Sequence, residues 1–142
     1  MSELVNQYFG FLTNIGFNGP YEVNYAYEKH IYYVKRTIII DIAFDAYFWV
    51  DVIRIKNVIP ELESGVLTLS DIDPRKHCSY QLSQLDPEKE VFNSISSKSE
   101  SEKELQYNAV LLQNNLEILE GDLRKFNFFN KTWRRFKFIK KH

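Results

Sequence analysis

Residues 37–55, TIIIDIAFDAYFWVDVIRI, constrain the fold more than any other stretch of the chain. They are rich in β-branched and aromatic side chains and contain no Gly or Pro, which suits two pleated, half-buried strands. Side chains alternate between the two faces of a strand. Ile38, Ile40, Ile42 and Phe44 therefore share one face of the first strand, and Phe48, Val50 and Val52 share one face of the second. A three-residue connection, Asp45-Ala46-Tyr47, pairs Phe44 with Phe48, Ile42 with Val50 and Ile40 with Val52. All the apolar rungs then lie together, which is how a buried face sets register. The same register places Asp41 opposite Asp51, Ala43 opposite Trp49 and Ile39 opposite Ile53 on the second face. Like charges directly across a strand pair are unfavourable. A two-residue turn would part the aspartates but would set Ile40 against Asp51, so the first register is preferred. The bland expectation is that the aspartates are solvated, or neutralised by a Lys or Arg from a neighbouring strand or loop. The sharper one is that Asp41, Trp49 and Asp51 belong to a partner-binding face.

The remaining segments read as partners or covers for this hairpin. Leu4, Tyr8, Phe11, Leu12 and Ile15 recur at helical spacing and predict a helix over 3–15, with Ser2 to cap it and Gly16 to end it. Tyr21, Val23, Tyr25 and Tyr27 alternate with polar residues and predict a strand, which 31–34 continues after a bulge or turn at 28–30. Residues 60–65 read as a loop and 66–69 as a short strand. Asp86-Pro87-Glu88 opens a short helix to about Ile95. Ser99 and Glu102 form a capping box for a helix to Glu120, which Gly121 terminates. The apolar face of that helix is broad, so it is expected to cover the Ile38/Ile40/Ile42 face of the sheet. The whole chain, 1–142, is expected to be a single α+β domain: an N-terminal helix, an antiparallel meander of three to five strands, then helices packed on one face. Residues 130–142 form either a basic aromatic tail or a terminal helix.

Charge is unevenly spread. Residues 1–122 hold all 19 acids but 10 of the 18 Lys and Arg, a balance of −9; residues 123–142 hold the other 8 basic residues, a balance of +8. An acidic body suits a basic partner better than it suits nucleic acid. The single cysteine, Cys78, excludes an intramolecular disulfide. With no secretory pattern at the N-terminus and no apolar run of membrane-spanning length, a cytoplasmic location is expected. No phosphate loop, dinucleotide turn, zinc spacing or nucleophile elbow occurs, so no enzyme, metal or cofactor is expected. Asp71 and Asp73 imitate the start of a calcium loop, but Pro74 follows and the later Gly and Glu are missing. His77 and Cys78 are adjacent, which rarely gives nucleophile–base geometry.

The segment Tyr107-Asn108-Ala109-Val110-Leu111-Leu112, followed by Ile118-Leu119-Glu120-Gly121-Asp122, resembles a late helix of small bacterial α+β immunity-type proteins. These accompany polymorphic or contact-dependent toxins. In them a "YA.LL" segment precedes an "IL.GD" helix end, after an N-terminal helix and an antiparallel meander. Asn108, where a small residue would fall, and the basic tail depart from the pattern. The resemblance implies a non-enzymatic protein that binds and neutralises a toxin, and it carries no active-site residues. Asp41, Trp49 and Asp51 are then the expected contacts to a basic toxin domain. The alternative is a nucleic-acid module using Lys131, Trp133, Arg134, Arg135 and Lys137 to meet phosphates and bases. A homodimer or adaptor joined through an open sheet edge is a third reading.

Overall fold

The computed structural model describes residues 2–96 and 99–126. The expectations for 130–142, including Lys131, Trp133, Arg134, Arg135 and Lys137, lie outside the described residues. The fold is α+β. Five strands, β1 (Asn18–Asn24), β2 (Lys29–Lys35), β3 (Ile38–Phe44), β4 (Phe48–Ile55) and β5 (His77–Gln81), form one antiparallel sheet in the order β1-β2-β3-β4-β5. The central hairpin has the register that its apolar pattern demands: Phe44 pairs with Phe48, Ile42 with Val50 and Ile40 with Val52. Asp41 accordingly faces Asp51 across the second surface.

One surface of the sheet is covered by helices. Helix α1 (Ser2–Phe9) and the short α2 (Phe11–Asn14) bring Val5, Phe9 and Leu12; helix α5 (Glu100–Gln113) brings Leu105, Ala109 and Leu112. These pack on Ile31, Tyr33, Ile40, Ile42, Val50 and Val52. At the far ends of the helical layer, the Tyr8 hydroxyl donates to the Glu102 carboxylate at 2.7 Å, tying α1 to α5. The N-terminal segment is broken at Gly10 instead of running unbroken over 3–15, in keeping with the poor helix propensity of glycine.

The second surface is only half open. Residues 56–76 fold across one end of it through helix α3 (Pro60–Glu63) and two 3-10 turns, Leu69–Asp71 and Pro74–Lys76. Leu62 and Ile72, with Ile59 and Leu69 beside them, bury Tyr32, Val34, Ile39, Ile53 and Ile55. Three sequence expectations are corrected here. The 66–69 segment is not a strand; Val66 is exposed and the fifth strand is β5 instead. The helix expected from Pro87 starts later, as α4 (Glu90–Ser94), and Asp86 caps it from a distance by accepting the Val91 and Phe92 N–H groups at 3.3 and 3.1 Å. The helix expected to reach Glu120 stops at Gln113, and a 3-10 turn (Leu116–Glu120) carries the chain to Gly121 at φ 94°. The Ser99 Oγ accepts the Glu102 N–H at 3.2 Å as expected, but the Glu102 carboxylate turns to Tyr8 instead of closing the box.

Candidate functional site

The open half of the second surface holds a charge cluster that sequence reasoning only half found. Asp41 is buried, at 5 % exposure, and lies against His30 from β2. The imidazole Nδ1 sits 2.9 Å from one Asp41 oxygen and 3.0 Å from the other; Nε2 sits 2.9 Å from Glu28. The hydrogen bond to Asp41, aided by Glu28, raises the imidazole to about 9 against the opposing cost of burial. His30 is therefore the cation that balances Asp41 at neutral pH. Among the described residues, Asp51 has no such partner. Burial, then the nearby Asp41 charge, push its carboxyl up to about 6, with His30 pulling the other way. Of the three expected contacts, then, Asp41 is committed to an internal ion pair, while Trp49 and Asp51 are half-buried on the open surface. A Lys or Arg was the expected neutraliser. His30 pairs with Ala43, which makes it a diagonal neighbour of Asp41. That placement is visible only once β2 is known to start at Lys29.

Sheet pairing gathers aromatic side chains at the same end. The rows Asn24–Lys29, Lys29–Phe44 and Phe44–Phe48 show that the β1–β2 and β3–β4 turns project from one edge of the sheet. Tyr25, Tyr27 (89 % exposed) and Tyr47 (59 % exposed) stand in these turns. Tyr47 leans on Trp49 with ring centroids 6.0 Å apart, and Tyr25 meets the His30 ring edge-on at 5.1 Å. Glu28 and Asp45 stand in the same two turns, and Asp51 follows Trp49 by two residues on the same face of β4. This grouping was missed because turn tyrosines in two separate hairpins have no shared period in the sequence.

Between the start of β4, the end of β5 and helices α4 and α5 opens a cavity of about 280 Å³. Phe48, Trp49, Phe92 and Tyr107 are among the residues that line it, with Asp86, Lys89, Glu104 and Asn108. Glu104 accepts the Phe48 N–H at 2.7 Å, and burial raises its carboxyl. The Tyr107 hydroxyl faces Asp86; burial and that carboxylate raise its pKa. Among the described residues, no group of three or more His, Cys, Asp or Glu side chains is placed to hold a metal ion. Nor is any helix among them long and apolar enough to cross a membrane.

The opposite end of the sheet is basic. Arg54, Lys56, Arg75 and Lys76 ring a second cavity of about 360 Å³ beside the exposed Cys78. Arg75 is held by Asp73 at 3.0 Å. That aspartate, discounted as a calcium ligand from the sequence, has a local structural use in holding Arg75 and the Pro74–Lys76 turn. Comparison of the chain with protein-family models, with curated proteins and with solved structures returned no match.

Proposed function

We propose that this chain is a non-enzymatic protein-binding domain that takes a basic protein partner at the aromatic, acidic end of its sheet. The observation that carries the reading is that Tyr25, Tyr27 and Tyr47, with Glu28 and Asp45, stand in two turns at one end of the sheet, with Trp49 and Asp51 on the strand that leaves the second turn. Tyrosine and tryptophan are the residues that most often anchor interfaces, since they bury large areas at small entropic cost. The carboxylates around them steer a basic surface into place and make association salt-sensitive. A toxin whose catalytic cleft is built to hold phosphates has such a surface, and the likeness to immunity-type proteins makes a bacterial toxin the favoured partner. Asp41 acts from within, by holding His30, and Trp49 and Asp51 stand at the contact.

The test is capture by the tagged chain from its source cells at low and high salt, in parallel with a Tyr27→Ala/Tyr47→Ala variant. Both tyrosines are exposed, so the variant is expected to keep its melting temperature and circular dichroism. Support would be a stoichiometric basic protein, released by salt and lost with the variant, that arrests growth alone and not when co-expressed with this chain. A partner retained equally by the variant would remove the aromatic end as the site. Capture of nucleic acid alone would transfer the function to the basic segment 130–142.

A further inference from the structure

The chain finds partners for most of its cations. Lys29 pairs with Glu22, Arg75 with Asp73, Arg124 with Asp122 and Lys125 with Glu117. The Lys35 ammonium donates to the Ile15 carbonyl, and the Lys103 ammonium lies 4.2 Å from the centroid of the Phe92 ring. Among the described residues, the Lys and Arg side chains with no such contact are Arg36, Arg54, Lys56, Lys76 and Lys89. All but Lys89 stand at one end of the sheet.

The register brings three of them together. Arg54 sits between Ile38 and Cys78 in the sheet. Ile55 and His77 form the last β4–β5 rung; Lys56 follows the one and Lys76 precedes the other. The two lysines therefore stand on facing chains one step beyond that rung. Arg54, Lys56 and Lys76 line a single cavity of about 360 Å³ with Thr37 and Cys78, and no Asp or Glu is among its lining residues. Like charges set across a strand pair repel. At the Asp41–Asp51 rung the chain supplies His30 against that repulsion. At the lysines it supplies no acid among the described residues, because Asp73, beside the turn, is taken up by both Nε and Nη2 of Arg75.

We infer that this cavity binds a phosphate dianion, free or carried by a small molecule. A dianion offsets two of the three unpaired charges, and its several oxygens accept from the Arg54 fork and from both ammonium groups at once. A carboxylate brings one charge and two oxygens, and would leave most of the repulsion in place. The volume leaves room beside the phosphate for an organic group, since pockets for small ligands begin at about 300 Å³. The site lies at the end of the sheet away from the proposed protein contacts, so the inference stands or falls apart from that reading.

The experiment uses the full chain at about pH 7.5, where a phosphomonoester is a dianion. The probes are inorganic phosphate, adenosine monophosphate and uncharged adenosine, with potassium chloride at matched ionic strength. Binding is read by NMR from the Arg54 Nε–H and the backbone amides of Lys56 and Lys76. Saturable shifts with both phosphates, absent with adenosine and with chloride, are expected. Tighter binding of the monophosphate assigns the site to a carried phosphate, and tighter binding of the free ion assigns it to phosphate itself. Arg54→Gln with Lys76→Gln, both exposed, should weaken the tighter probe about tenfold or more, and Lys76→Gln alone should weaken it less. Lys89→Gln, beside the start of β4, should leave it unchanged. Equal weakening by Lys89→Gln, an equal response to chloride, or shifts confined to 127–142 overturns the inference. So does the absence of saturation while the amide spectrum stays native.

Discussion

Asp51 occupies a position that disfavours its own charge, and His30 one that favours it. Asp51 is raised from 3.8 to about 6, so the folded chain holds that proton more tightly than the unfolded chain does. Its contribution to stability is complete below 3.8 and declines as pH climbs towards 6. His30 is raised from 6.5 to about 9, so its contribution is complete below 6.5 and is lost as pH rises through 9. Both groups therefore make the fold less stable with rising pH, in two successive windows. Asp51→Asn is expected to stabilise the chain by about 1–3 kcal/mol near pH 7.5 and by almost nothing near pH 3, read from urea midpoints. An equal gain at both pH values would mean that the carboxylate is not strained. His30→Ala is expected to cost about 1.5–3 kcal/mol near pH 6, because it leaves Asp41 buried without its donor. The loss should shrink above pH 9, where the imidazole is neutral in either state. That Asp51 is retained charged at neutral pH, at a cost to folding, fits a residue used for contact.

Among the elements, the β3–β4 hairpin was legible because its apolar side chains admit one register only, and a slip of one residue would expose all of them. Helix α5 was legible as a cover for the same reason of pattern: Leu105, Ala109 and Leu112 fall on one face and meet the sheet there. Leu112→Ala should cost about 2–5 kcal/mol in urea unfolding, since the site lies in the middle of the helical layer and leaves a cavity. The end of α5 was not legible. Asn114 and Asn115 interrupt it, and the Asn115 side chain donates to the Leu111 carbonyl at 2.7 Å, diverting a backbone acceptor from the helix. Gly121 was legible as a stop, and its φ of 94° shows why. With no neighbour within 4 Å of an added Cβ, Gly121→Ala should cost only the backbone strain, about 1–2 kcal/mol. Strand β5 escaped notice because His77, Cys78, Ser79 and Gln81 leave Tyr80 as its only buried side chain, and one rung gives no period. The 56–76 cover escaped because its apolar residues, Ile59, Leu62, Leu69 and Ile72, come from a single-turn helix where a loop was expected and from turns with no repeat.

On the scale of the whole molecule, the sheet separates charge along its strands. Glu28, Asp45 and the exposed tyrosines stand at the β1–β2 and β3–β4 turns, with Lys29 beside them, while Lys35, Arg36, Arg54, Lys56, Arg75 and Lys76 stand at the other end, with Asp73 on Arg75. On the proposed reading, a basic partner meets the end where Glu28 and Asp45 stand. Once a partner is captured, Asp45→Lys should slow its association about tenfold at low salt, whereas Arg54→Glu with Lys76→Glu should not slow it. Stopped-flow rates across a salt series decide this, and equal slowing by both would remove the directional field. The candidate contacts were only partly legible for a related reason: sequence order separates Tyr27 from Tyr47 and His30 from Asp41, and only the meander brings them together. That meander also sets how far apart in sequence the contacting residues lie. Every strand pairs with its neighbour in sequence, except that β4 must wait for residues 56–76 before it meets β5. Hairpins of this kind form early and locally. The helical layer does not: Val5 and Phe9 of α1 share their core with Leu105 and Leu112 of α5, some hundred residues away. The lid is thus held by the contacts most distant in sequence, and any state in which α1 and α5 are undocked lays the isoleucine row bare to other chains.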